Sequence, residues 1–243
     1  MNQTQDKKED LVNKILEFLP LNSETEIKIP SLGKIYSSID PSKPITIRPM
    51  NFEDEKTIAT SKGSDPLGIV LSRCVSNLPI NDLIPADKMF LLLKLREVSY
   101  GDEYNFTLHC QNCKIENKAS VKISELDIKY ADDSFQDPIE VFLTGIKKKA
   151  KVRLMKNKDE NYFVDQAVGI TNLWRFVEEI DGISDKSVIS EVIQKLPSKD
   201  VKKIILSMKS DIGVNTKVGF TCNSCSHVNV LELPITSDFF SES

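Results

Sequence analysis

FTLHCQNCK (Phe106–Lys114) and FTCNSCSH (Phe220–His227) each place two cysteines two residues apart. EYNFTLH leads into the first pair and NTKVGFT into the second; NKASVKISELDIKY and HVNVLELPI follow them. Such alternation of apolar and polar residues predicts strands, so each pair sits at the turn of a strand–turn–strand unit. Two C-x-x-C turns on two hairpins are the plan of a zinc ribbon. The two intervening residues let the backbone aim both sulfurs at one ion, and the second pair completes four soft tetrahedral ligands. Cys110, Cys113, Cys222 and Cys225 are the expected ligands of a closed, structural Zn2+ site. Compact sites keep their pairs ~15–20 residues apart. The longer interval here has secondary structure of its own and reads as an insertion between two ribbon halves.

Other chemistries for these cysteines stay open. A redox C-x-x-C wants a thiolate at a helix N-terminus, whereas both pairs here lie between strands. Free thiols or disulfides are further alternatives. His109 and His227 flank the pairs and are read as surface neighbours, with substitution for a cysteine ligand as the rival. Asn112 and Ser224 fall within the turns, and Lys114 places positive charge near a dianionic centre. Cys74, on an apolar helix face, reads as a small buried hydrophobe.

The composition, 40% hydrophobic and 28% charged with net charge -4, is that of an ordinary globular chain. No apolar run approaches the ~20 residues of a membrane span. MNQTQDKKEDLV lacks the apolar core of a signal peptide. The expectation is a protein that is not secreted and works in a reducing compartment, where paired cysteines serve metals more often than disulfides. Mild acidity argues against a dedicated nucleic-acid binder. The chain has only two histidines, both beside cysteines, and no Gly-rich phosphate loop. These absences, with a closed four-cysteine site, argue against an enzyme and against a small-molecule substrate.

The expected fold is α+β. Residues 1–25 carry an amphipathic helix with Leu11, Ile15, Phe18 and Leu19 on one face, ended by Pro20. Residues 26–102 combine short strands at ETEIKI and PITIRPM with three helices. Asn51 caps the first, Asp65-Pro66 starts the second, and the third runs from Pro85 to before Gly101 with almost no polar face. Segments 103–130 and 211–236 form the two ribbon halves. The interval 131–210 holds a strand pair (PIEVFLTG, AKVRLM) and helices, the longest over about 158–180 with Phe163, Ala167, Ile170, Trp174 and Val177 at helical spacing. Residues 237–243 are a tail.

GIKKKAKVRLMKNK (residues 145–158) is basic without an acidic residue. Lys147, Lys149, Lys151 and Arg153 form either a solvated strand face or a docking surface for an acidic partner or nucleic acid. Phe239 and Phe240 in the tail pack at home or anchor a partner.

IPSLGKIY (29–36), ITIRPMNFEDEKTIATSK (45–62) and NDLIPADKMFLLLKLREVSYGDEYNF (81–106), with the cysteine pair that follows, resemble a family of T-even-type contractile-tail phage baseplate proteins. Pro30, Ser31, Gly33 and Tyr36 match its PS-G-Y element, and Ile47, Arg48, Pro49 and Met50 its IRPM strand. Glu53, Asp54 and Glu55 match its acidic helix start, and Arg96, Ser99, Tyr100 and Gly101 the end of its YG-terminated helix. The resemblance covers residues 27–125. Ala86-Asp87-Lys88 departs from the family's acidic-Arg-Asn start. It implies a non-enzymatic baseplate hub structural or assembly protein, with hub and tail proteins as partners. Its place would be the virion tail baseplate, or the host cytoplasm during assembly. A zinc-ribbon nucleic-acid-binding regulator is the alternative.

Overall fold

A computed structural model describes residues 11–12, 14–15, 24–61, 65–163, 171–235 and 237–240. Helices and small antiparallel sheets surround two hydrophobic cores. In the first, strand β2 (Ile45–Ile47) lies between β1 (Thr25–Ile27) and β3 (Val75–Ser76). The strands turn Ile27, Ile47 and Val75 inward. Helix α1 (Phe52–Thr60) begins where expected, because Asn51 accepts from the N–H groups of Glu53 and Asp54 while Asp54 answers the Asn51 N–H. Asp65 and Pro66 open α2 (Pro66–Cys74). Helix α3 (Pro85–Tyr100) buries Phe90, Leu91, Leu92, Leu93 and Leu95. It stops at Gly101, whose φ of +93° suits a residue without Cβ.

The chain then forms the hairpin β4 (Glu103–His109) and β5 (Glu116–Lys122), followed by the short strand β6 (Ile128–Lys129). Strands β7 (Ile139–Leu143), β8 (Lys148–Val152) and β9 (Val177–Ile180) make a second three-stranded sheet. Helices α4 (Lys186–Lys195) and α5 (Ser198–Ser207) cover it and close the second core. Strand β10 (Gly213–Val214) pairs with β6, which delivers the second hairpin, β11 (Lys217–Thr221) and β12 (Val228–Glu232), beside the first.

The expected long helix over 158–180 is corrected by the structure. Residues Asn157–Phe163 and Leu173–Phe176 form 3-10 turns, and Val177–Ile180 is strand β9. The β8 edge needs backbone partners, and β9 supplies them while burying Val177 and Ile180. Helical spacing alone did not distinguish that outcome. Ala167 and Ile170 lie outside the described residues. So do Phe18, Leu19 and Pro20 of the N-terminal segment. Residues 11, 12, 14 and 15 are helical there, with Leu11 and Ile15 exposed.

Each half opens on a three-stranded antiparallel sheet with its second strand in the middle, and the two halves share anchors. Arg48 Nη1 donates to the Pro49 carbonyl and to Asp54, at 2.8 and 2.9 Å. Arg153 Nη1 donates to the Leu154 carbonyl and to Asp159, at 3.1 and 2.6 Å. The Arg48 N–H meets the Cys74 carbonyl and the Arg153 N–H the Phe176 carbonyl, each just ahead of the third strand of its sheet. Asp87, third residue of α3, accepts the Ser31 N–H at 2.9 Å from the β1–β2 connection. Asp200, third residue of α5, accepts the Gly145 N–H from the β7–β8 connection. Both aspartates are fully buried. Each half then ends in a cysteine-bearing hairpin.

Candidate metal centre

Both hairpin tips, Cys110–Ile115 and Cys222–His227, have one backbone geometry. The first cysteine N–H donates to the carbonyl five residues on: Cys110 to Ile115 and Cys222 to His227, both at 2.9 Å. Its own carbonyl accepts from the residue four on, Lys114 at 3.0 Å and Ser226 at 2.9 Å. Those two residues take left-handed φ values of 63° and 58°. The turn points N–H groups at the first sulfur, from Asn112 and Cys113 in one tip and from Ser224 and Cys225 in the other.

The tips face each other and their sulfurs interleave. Cys110 Sγ lies 3.7 Å from Cys225 Sγ, and Cys113 Sγ lies 3.6 Å from Cys222 Sγ. All four lie within 4.8 Å of one another. A disulfide would need about 2.05 Å, and the cysteines are free. Tetrahedral Zn–S bonds of about 2.3 Å imply S···S edges of about 3.8 Å. The closest sulfur contacts match that edge, so the donor set fits a soft tetrahedral ion. Among the described residues this cluster comprises cysteines only. His109 and His227 are exposed beside it, and Lys114 Nζ bonds the Gln111 carbonyl rather than a sulfur.

Two residues that the sequence reading overlooked complete the site. Asn117 and Asn229 are buried. Asn117 Nδ2 donates to the Ile115 carbonyl at 2.8 Å in its own tip and to Cys222 Sγ at 3.5 Å in the other. Its Oδ1 accepts the Asn223 N–H at 3.0 Å. Asn229 Nδ2 donates to the His227 carbonyl at 3.0 Å and to Cys110 Sγ at 3.7 Å, and its Oδ1 accepts the Gln111 N–H at 2.8 Å. The signal was legible as C-x-x-C-x-x-x-N, present in both halves. Asn112, exposed in its turn, donates to Cys225 Sγ at 3.7 Å.

As thiols, Cys110, Cys113 and Cys222 are inequivalent. Desolvation works to raise Cys110, but the Cys113 and Asn112 N–H groups and the Asn229 amide outweigh it and bring the thiol down to about 6. Cys222 is lowered likewise, against desolvation, by Cys225, Ser224, Cys113 and Asn117. At Cys113 the Ile115 N–H lowers the pKa, yet desolvation and the neighbouring sulfurs push it up to about 12. In the first turn Cys110 is therefore a readier thiolate than Cys113. Cys74 stands apart, buried on α2 with its thiol pushed up to about 12 by desolvation.

The basic strand is less basic in three dimensions than in sequence. Lys149 pairs with Glu140 on β7 at 2.7 Å, and Lys151 with Glu179 on β9 at 2.9 Å. Lys148 pairs with Asp181, and Arg153 with Asp159 and Glu178. Lys147 is exposed in the β7–β8 turn. Phe239 and Phe240 lie in the first core. Phe239 packs edge-on against Tyr104 at 4.8 Å between centroids. The tail phenylalanines thus pack at home and offer no exposed anchor.

The family model described as T4 bacteriophage base plate protein matches residues 22–241. No curated protein and no solved structure matches the chain.

Proposed function

This chain belongs to the T4 bacteriophage base plate protein family, and on that premise we propose that it is a non-enzymatic structural or assembly protein of the baseplate hub, with a structural zinc clasp. Its partners are other hub and tail proteins, and its place is the tail baseplate or the host cytoplasm during assembly. The observation that carries the clasp is the sulfur cluster shared by the two hairpins, with spacings suited to a tetrahedral ion. Four thiolates fill such an ion and leave no position for a substrate, which supports a scaffold rather than a catalyst. Zinc bound by Cys110, Cys113, Cys222 and Cys225 ties the end of one half to the end of the other.

The buried aspartates fit the same reading. Asp54, Asp87, Asp159 and Asp200 all accept hydrogen bonds that brace their own halves. Lys147, Lys149 and Lys151 remain the proposed docking face for an acidic hub protein, with Glu140 and Glu179 as internal competitors. The same pairing lowers the free positive charge this strand offers to nucleic acid.

Quantitative mass spectrometry of purified, DNase-treated virions, with metal analysis of the isolated protein, tests the proposal. A hub component is present in stoichiometric ratio to the other baseplate proteins. An assembly factor is abundant in infected cells, absent from virions and captured by a hub protein. Salt-dependent DNA binding without hub capture would overturn both. Purified protein without zinc would overturn the clasp.

A further inference from the structure

We infer that Asn117 and Asn229 are reciprocal positioning residues of the metal centre, each holding a sulfur and a turn N–H of the opposite hairpin. This rests on the reading of the four cysteines as a metal site. Over residues 107–118 and 219–230 the buried side chains are Cys110, Asn117, Cys222 and Asn229. No aliphatic or aromatic side chain is fully buried there, and Leu108 and Phe220 are half-buried, so the fully buried contacts between the tips are polar. The buried contacts that cross between the tips are the sulfurs and the Asn117 and Asn229 amides, with exposed Gln111 and Asn112 adding bonds to the Val230 carbonyl and Cys225 Sγ.

Each amide is used at both ends. One Nδ2 proton braces the carbonyl that closes its own turn, and the other is directed at the first cysteine of the opposite turn. Each Oδ1 takes the N–H directly after that same cysteine. Asn117 thus holds Cys222 and Asn223, and Asn229 holds Cys110 and Gln111. A four-thiolate zinc centre carries two net negative charges, and buried N–H donors to its sulfurs orient the ligands and offset that charge. Aspartate in the same place keeps the acceptor, withdraws the donor and adds a negative charge beside the sulfur. Leucine strands a buried turn N–H. The arrangement occurs twice, once per half, at one spacing from the cysteines.

The test uses the full chain, titrated with Co2+ and then competed with Zn2+, for wild type, N117D, N229D and the control N105D on exposed β4. Wild type should show the intense thiolate-to-cobalt charge transfer and tetrahedral d–d bands of four sulfur ligands. N117D and N229D should keep the tetrahedral d–d bands but shift the charge-transfer band and bind both metals about 10- to 100-fold more weakly, and N105D should bind as wild type does. Turn bracing alone would also lower the apparent affinity, because metal binding and tip folding are coupled; the discriminating readout is the thiolate-to-cobalt charge-transfer band, which shifts when an N–H···S bond is lost and stays in place when only a brace is lost. A band that stays in place, or affinities within about twofold of wild type for both variants, less than any outer-shell effect, would overturn the inference and leave the metal site standing. A wild type with no thiolate–cobalt band would overturn both. N117S and N229S, too short to reach the opposite sulfur, are read in the same way if an aspartate variant yields no folded protein.

Discussion

Stripping the metal should melt the two tips and leave both cores folded. Each tip, Cys110–Ile115 or Cys222–His227, must order roughly six residues at about 1–2 kcal/mol of backbone entropy each, a cost near 6–12 kcal/mol. Against this stand the two turn hydrogen bonds of each tip and the bonds made by its asparagine. At about 1 kcal/mol apiece they recover about 4 kcal/mol. No buried apolar side chain closes the gap. One ion serves both tips, whose combined shortfall is about 4–16 kcal/mol, and zinc on four thiolates contributes about 10–16 kcal/mol at neutral pH in small zinc domains, a matching amount. Hydrogen–deuterium exchange before and after complete chelation under reducing conditions reads the difference. The amides of Cys110, Lys114, Cys222 and Ser226 should exchange at least about a thousandfold faster, a shift of about 4 kcal/mol at 1.4 kcal/mol per decade. Amides in α3, packed in the first core, should change little. Unchanged protection at the four tip amides would refute the reasoning. Equal loss in α3 would show instead that the centre holds the global fold.

Phe239→Ala should lower stability by about 3–5 kcal/mol in urea unfolding while metal content stays at the wild-type level, because Phe239 is fully buried in the first core and is no part of the sulfur cluster. Gly145→Ala should cost about 1–3 kcal/mol in the same assay, since a Cβ there would sit 2.4 Å from Asp200 Oδ2 and displace the bond between them. Stability should also fall on acidification. Desolvation acts against ionised Asp54 and Asp159, but Arg48 and Arg153 with backbone N–H groups hold both carboxyls below the usual range. A depressed folded pKa gives stability that is present above the unfolded value of about 3.9 and lost as pH falls through the folded value. Urea midpoints measured downward from neutral pH should therefore drop below about pH 4, and a Met at Arg48 should flatten that part of the profile. A midpoint independent of pH in that window would contradict the assigned ion pairs.

Much of the local structure was legible because its causes are local. Asn51 with Asp54, and Asp65 with Pro66, announce helix starts through groups within a turn of one another. The apolar run of α3 has no face to give to water, and alternation around each C-x-x-C leaves little but a hairpin. The resemblance read from residues 27–125 pointed to the family whose match in fact runs over 22–241. What tertiary structure decided was who meets whom. Cys113 and Cys222 are 109 residues apart in sequence and 3.6 Å apart in space. The lysines of β8 look like a free cationic stripe until Glu140 and Glu179 arrive on flanking strands. Val177–Ile180 carries helical spacing but joins β8, because an open sheet edge needs partners that no local pattern reports. Asn117 and Asn229 were in plain view at one spacing, yet their purpose lies in the other hairpin. Sequence determines capping, periodicity and ligand type, which act over a few residues. Only folding sets the long-range pairings, because they depend on which buried polar group finds its partner.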